Sequence, residues 1–172
     1  MKAFFLDRDG VINHDFSYVC NVENFKFIDG IFDMLRRIQE HNYLIFIITN
    51  QSGIGRGFFP EDDYLKLTDW MIDEFKQESI YIEKVLYCPH SPHINCQCRK
   101  PKSGLIDNLL AKYPLNLKES WMVGDKESDL ELAANCGISN TIFVQKDSEN
   151  LNLKFVPKYI LNYLSEFSKI II

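Results

Sequence analysis

Apolar residues fall along the chain in two rhythms. Short unbroken runs occupy Ala3 to Leu6, Leu44 to Ile48, Lys84 to Tyr87, Trp121 to Val123 and Thr141 to Val144. Their continuous Ile, Phe and Val content predicts strands covered on both faces, as in a parallel sheet. Longer stretches with a helical period lie between them, over Ile31 to Glu40, Glu61 to Gln77, Gly104 to Lys112 and Ser128 to Asn135, with a final helix expected over Tyr159 to Phe167. This alternation predicts a three-layer α/β fold built on a doubly wound, mainly parallel sheet. The chain has 172 residues and shows no repeat, low-complexity stretch or linker, so the expectation is a single domain over 1–172.

The polar residues are the informative part of the pattern. Asp7, Thr49, a Cys/His cluster beginning at Cys88, and Asp125 each follow directly on a predicted strand. In a doubly wound sheet those carboxyl ends share one edge, and ligands bind near the switch in strand order. Four clusters distant in sequence therefore converge on one crevice.

Each cluster offers distinct chemistry. In FLDRDGVIN, an extended backbone would put Asp7 and Asp9 on one side with Arg8 turned away. Two carboxylates that close repel unless a cation sits between them or one keeps its proton. TNQSGIGRG, Thr49 to Gly57, supplies a hydroxyl, an amide and glycines that let main-chain N–H groups approach an anion. It lacks the Gly-Lys-Ser/Thr ending of a Walker A loop.

CPHSPHINCQCRKPK, Cys88 to Lys102, carries three thiols and two imidazoles, which suits tetrahedral zinc through Cys88, Cys96, Cys98 and either His90 or His93. Four protein ligands would make that zinc structural, a staple for a loop that runs into Arg99 and Lys100. In VGDKESD, Val123 to Asp129, magnesium needs only Asp125 and Asp7 with a backbone carbonyl, while Asp129 suits a helix cap or a supporting role.

Composition narrows the partners. A net charge of −5 argues against a broad nucleic-acid surface, and Arg99, Lys100 and Lys102 suit a small anion. No apolar run reaches the ~18 residues of a membrane span, and the first one leads into Asp7 without a signal-peptide cleavage pattern. The expectation is a cytoplasmic monomer with a small phosphorylated substrate, no nucleic acid and no membrane. Three of the five cysteines crowd into eleven residues, which in a reducing compartment reads as a metal site before disulfides. The closing Lys169 to Ile172 is apolar for a terminus and has no functional reading.

Taken in order, DRDGVIN, TNQSGIGRG, CPHSPHINCQCRKPK and VGDKESD resemble the four motifs of haloacid dehalogenase (HAD) superfamily phosphatases. The subgroup most similar holds heptose bisphosphate 7-phosphatases and histidinol-phosphate phosphatases, and the likeness runs from Ala3 to about Val144. It implies an aspartyl-phosphate formed on Asp7, with Asp9 as general acid and then base. It implies magnesium on Asp7, the Asp9 carbonyl and Asp125, and zinc on Cys88, His90, Cys96 and Cys98. Thr49, Asn50 and Lys100 would stabilise the phosphoryl oxygens, and Asp15, Phe16, Ser17, Tyr18, Gln51, Ser52, Arg99 and Lys126 would touch the rest of the substrate.

The Asn13 to Tyr18 stretch, the TNQSGIGRG loop and Lys126 look like the heptose bisphosphate enzymes, acting in lipopolysaccharide precursor synthesis, and Arg99 suits a second phosphate. The five-residue spacer between His90 and Cys96 also occurs among the histidinol-phosphate relatives, so that substrate stays open. About forty residues separate Asp7 from Thr49, too few for a large cap domain. A receiver-like signalling module shares the acidic pocket and a phosphorylated aspartate, but has no need of an acid/base at Asp9.

Overall fold

The computed structural model describes residues 1–145, 153–170 and 172. Its strands are β1 (Ala3–Leu6), β2 (Leu44–Asn50), β3 (Lys84–Cys88), β4 (Trp121–Gly124), β5 (Asn140–Val144) and β6 (Tyr159–Leu161). Its α-helices are α1 (Ile31–Glu40), α2 (Ser52–Gly55), α3 (Glu61–Gln77), α4 (Gly104–Leu110) and α5 (Glu127–Cys136). The strands form one sheet in the order β3-β2-β1-β4-β5-β6, every neighbouring pair parallel. From β1 the chain winds first toward β3 and then returns to wind the other way, so the order switches between β1 and β4.

Alternation along the strands sorts side chains onto two cores. Phe4, Leu6, Ile45, Ile47, Trp121, Val123 and Ile142 pack on one face with Met34 and Leu35 of α1 and Leu67, Met71 and Phe75 of α3. Ala3, Phe5, Phe46, Ile48 and Met122 pack on the other with Leu105, Ile106 and Leu109 of α4 and Leu132 and Ala133 of α5. In α1 the buried positions Ile31, Met34, Leu35 and Ile38 are spaced as one face of an amphipathic helix. Pro60 precedes α3, whose first turn, Glu61, Asp62 and Asp63, complements the positive end of the helix dipole.

The chain beyond β5 departs from the sequence-based expectation. Tyr159 to Phe167 is not a helix: Tyr159–Leu161 pairs with Ile142–Val144 as an edge strand, and only Leu164–Lys169 coils, as a 3₁₀ turn. The open backbone edge of β5 wins over a weak helical period. The apolar terminus acquires a structural role here, since Ile170 is buried, Ile172 packs against the same core, and Arg37 donates to the Ile170 carbonyl at 3.2 Å. Residue 171 lies outside the described residues. Among the described residues no helix is long and apolar enough to cross a membrane.

Phe167 closes this end, fully buried and edge-on to Phe4 with ring centroids 5.9 Å apart. Phe167→Ala should lower stability by about 3–5 kcal/mol in urea unfolding while leaving the turnover of the folded fraction unchanged. A loss confined to turnover would contradict this placement.

Candidate active site

The strand-end polar residues do meet. A cavity of about 360 Å³ opens beyond the carboxyl ends of β1, β2 and β4, lined by Asp7, Asp9, Asp15, Ser17, Tyr18, Thr49, Asn50, Gln51, Ser52, Gly53, Arg99, Lys100, Lys126 and Ser128. It sits at the switch in strand order, where a doubly wound sheet holds its ligands. Phe16 stands outside this lining, with its ring stacked on His14 and Lys26 nearby. Gly53, a glycine of the TNQSGIGRG loop, joins the lining, as does Ser128, which no site reading of the sequence picks out.

Asp7 leaves β1 on the face covered by α5, and its amide donates to the Val123 carbonyl of β4 at 2.9 Å. Its Oδ1 meets the Lys100 ammonium at 2.9 Å, and the same ammonium meets Asp129 at 2.7 Å. All three residues are buried. Burial works to discharge Lys100, but Asp129 and Asp7 outweigh it and hold its pKa above the ordinary lysine value. The second oxygen of Asp129 accepts from the Lys126 amide at 3.1 Å, so the residue caps α5 and pairs with Lys100 at once.

Arg8 is not turned away from its neighbours. The strand ends at Leu6 and the backbone folds into a turn in which Val11, Ile12 and Asn13 all donate to the Arg8 carbonyl. The alternation assumed from sequence therefore stops short of Asp9, and the Arg8 guanidinium reaches the Asp9 carboxylate at 2.8 Å. Asn13 and Gln51 also donate to Asp9, at 3.0 and 2.8 Å. Burial pushes the Asp9 carboxyl up, yet the Arg8 charge and these hydrogen bonds prevail and hold it below its ordinary 3.8.

Backbone geometry tightens the site. At Gly10 φ is +97°, and a Cβ there would run into the Asp125 carboxylate, so the turn demands glycine on both counts. Ser17 and Tyr18 hold φ of 61° and 57° without being glycine, with the Ser17 amide bonded to Asp15 at 3.0 Å. Such conformations persist where surrounding structure enforces them and cluster at ligand sites.

Asn50 spends its amide on the Lys100 backbone in both directions: Nδ2 donates to the carbonyl at 3.2 Å and Oδ1 accepts from the N–H at 3.0 Å. The Gln51 amide donates to the Cys88 carbonyl at 2.8 Å, which ties the same turn to the cysteine loop. Lys126 reaches Asp15 at 3.2 Å; burial opposes its charge, but Asp125, Asp7 and Asp15 together hold its pKa above the ordinary value. Arg99 lines the cavity, and its buried Nη1 has no hydrogen-bond partner among the described residues.

Two groups of side chains suit metals. Oxygens of Asp7, Asp125 and Asp129 lie within 4.8 Å of one another, a hard-donor set of the kind magnesium takes. The Asp9 side chain is absent from that set because its oxygens face Arg8, Asn13 and Gln51. In the loop after β3, the Cys88 and Cys98 sulfurs are 3.1 Å apart, Cys88 and Cys96 3.6 Å, and His90 Nδ1 lies 3.2 Å from Cys98 and 3.6 Å from Cys88. A tetrahedron with roughly 2.3 Å metal–sulfur bonds has edges of about 3.8 Å, so these four atoms fit one zinc once the Cys88–Cys98 pair opens slightly. His90 stands with the thiols, whereas His93 lines a separate hollow. Burial and the neighbouring Cys98 raise the Cys88 thiol.

A HAD-hydrolase-like family model matches residues 97–167. The D-glycero-alpha-D-manno-heptose-1,7-bisphosphate 7-phosphatase of Campylobacter jejuni is 45% identical over 168 residues, 96% of each chain. The chain belongs to the HAD-like phosphatases. The corresponding Haemophilus influenzae enzyme, named for the beta anomer, is 40% identical over 150 residues, covering 84% of this chain and 82% of the relative. Among solved structures, the heptose bisphosphate phosphatase of B. bronchiseptica, complexed with magnesium and phosphate, superimposes with a TM-score of 0.85 at 27% identity over 98% of this chain and 97% of that one. This HAD-like phosphatase is a phosphoric monoester hydrolase, and the receiver-like alternative is set aside.

Lys100→Met should cost about 3–5 kcal/mol in urea unfolding at neutral pH, because it strands two buried carboxylates. A loss no larger than the 0–1 kcal/mol typical of exposed pairs, roughly, would contradict the buried bridge. Asp9 has its folded pKa below 3.8, so its contribution to stability is complete above 3.8 and drains away as pH falls through the folded value. The stability gap between wild type and Asp9→Asn should therefore stay level at higher pH and narrow only as pH falls from about 4 downward in urea midpoints, and a widening gap there would contradict the Arg8 pairing.

Proposed function

We infer that this phosphatase hydrolyses D-glycero-D-manno-heptose 1,7-bisphosphate at its 7-phosphate. The observation that carries the reading is the distribution of charge in the cavity. Asp7 and Lys100 form a reacting centre at the sheet edge, and Arg99 adds a guanidinium to the same lining, suited to the second phosphate of a bisphosphate. The names borne by the Campylobacter and Haemophilus relatives support it.

In the reaction, Asp7 attacks phosphorus and the leaving sugar oxygen takes a proton from Asp9, which Arg8 holds ionised until the negative substrate phosphate beside it favours uptake of a proton from solvent. Water then attacks the aspartyl-phosphate, giving its proton to Asp9 and releasing phosphate from Asp7. Thr49 and Lys100 stabilise the transferring oxygens. Asn50 supports them indirectly, through its double hold on the Lys100 backbone. Asp15, Ser17, Tyr18, Ser52 and Lys126 surround the sugar. Asp7, Asp125 and the Asp9 carbonyl would hold magnesium, which offsets repulsion between nucleophile and phosphate. Asp129, already committed to Lys100 and the start of α5, stays behind this set. Cys88, His90, Cys96 and Cys98 would hold a structural zinc that keeps Arg99 and Lys100 in place. The chain works as a single-domain monomer in the cytoplasm.

Phosphate release with magnesium should be fastest on one anomer of heptose 1,7-bisphosphate and much slower on histidinol phosphate. Equal, low rates on both anomers and on histidinol phosphate would refute the substrate assignment. Asp7→Asn should lose activity by about a thousandfold or more. Elemental analysis of purified protein should find a single zinc, whose removal by a chelator lowers the thermal midpoint; protein without zinc, or a midpoint indifferent to the chelator, would refute the staple.

A further inference from the structure

Asp9 is held far more tightly than an acid/base group requires for solubility or folding. Its Oδ1 accepts from Arg8 Nη2 at 2.8 Å and from Asn13 at 3.0 Å; its Oδ2 accepts from Arg8 Nε at 3.2 Å and from Gln51 at 2.8 Å. Two oxygens thus receive four donors. Arg8 is 1% exposed, donates also to the Val19 carbonyl at 2.8 Å, and lies 5.5 Å from the Tyr64 ring of α3. Burying a guanidinium is expensive, and a well-packed apolar pair of the same volume serves stability at least as well. The arrangement makes more sense as a means of aiming a carboxylate, for which the planar fork of arginine is suited.

Gln51 completes the arrangement. It is 3% exposed, and its Nε2 reaches both Asp9 at 2.8 Å and Thr49 Oγ1 at 3.0 Å. That nitrogen bridges the acid/base group and the hydroxyl on the phosphate side, which leaves it committed to protein rather than to substrate. The Gln51 backbone is anchored in turn on Cys88.

We propose that Arg8 and Gln51 are positioning residues for Asp9, a fork from beneath and a brace from the side that set its carboxylate relative to Thr49 and the phosphorus bound there. This rests on the reading of Asp9 as proton donor and acceptor. As the Asp7 oxygen bonds to phosphorus, the bond to the leaving oxygen breaks and its electron pair departs with that oxygen. A sugar alkoxide needs the Asp9 proton at that moment; a nitrophenolate leaves without it. A misplaced Asp9 therefore hurts one leaving group and spares the other, whereas a lost substrate contact shows in KM.

The test is single-turnover formation of the aspartyl-phosphate with heptose 1,7-bisphosphate and with p-nitrophenyl phosphate, in wild type, Gln51→Leu, Arg8→Lys and Asp9→Asn. Thermal melts identify the variants that fold, and Gln51→Leu carries the test if Arg8→Lys does not. Gln51→Leu should slow phosphorylation by the sugar phosphate about tenfold or more while leaving p-nitrophenyl phosphate and both KM values within about threefold. A raised KM with the phosphorylation rate intact would make Gln51 a substrate contact, and an equal loss with both leaving groups would make it a general support; either overturns the proposal. If Asp9→Asn is selective for the sugar phosphate and Gln51→Leu is not, only the positioning role fails. If Asp9→Asn slows both equally, the role of Asp9 itself is wrong and the positioning role falls with it.

Discussion

One buried ammonium makes the rest of the site possible. Lys100 sits between Asp7 and Asp129 with essentially no water access, and without it two carboxylates would be buried at the sheet edge without the one cation that pairs with both at 2.9 and 2.7 Å among the described residues. Desolvating a lysine is expensive, so the group is tolerable only because its partners are close and fixed. Both conditions are met by backbone: Asp7 follows directly on a central strand, Asp129 is in the first turn of α5, and Lys100 is gripped by Asn50 through its own N–H and carbonyl.

The two aspartates of the DRD segment answer their mutual repulsion by joining different networks. Asp7 is compensated by Lys100 from the α5 side, and Asp9 by Arg8, whose guanidinium lies over Tyr64 of α3. The sheet separates the two cations, so each carboxylate keeps its own counter-charge. A site that must treat its two carboxylates unequally benefits from such a division, because a change at one is not imposed on the other through a shared partner.

Much of this was legible in the chain. The five strongest apolar runs became strands with boundaries shifted by two residues at most, and α1 and α3 coincide with their periodic stretches, because burial on both sides of a parallel sheet leaves little room for ambiguity. The convergence of Asp7, Thr49, the Cys88 cluster and Asp125 followed from strand ends alone, whereas Lys126 entered only through the family resemblance. Tyr159 to Phe167 was misread because Leu161, Leu164 and Phe167 give the same spacing whether the first belongs to a strand or a helix. Arg8 was missed for a different reason: an extended backbone was carried one turn too far. The usable signal was parity as far as Arg8, since Phe4 and Leu6 lie in the core that includes α3 and the Arg8 guanidinium lies over Tyr64 of α3.

The strand order has a consequence for how the protein is made. β1 is made well before β4, its neighbour in the middle of the sheet, and Asp125 is 118 residues downstream of Asp7. At roughly 5–20 residues per second, the nascent chain waits some 6–24 s between the two. Throughout that interval Asp7 lacks both the Val123 carbonyl that receives its amide and the α5 carboxylate that helps hold Lys100. The reacting centre therefore cannot form until the chain has been made through α5, however early β1 and its aspartates emerge.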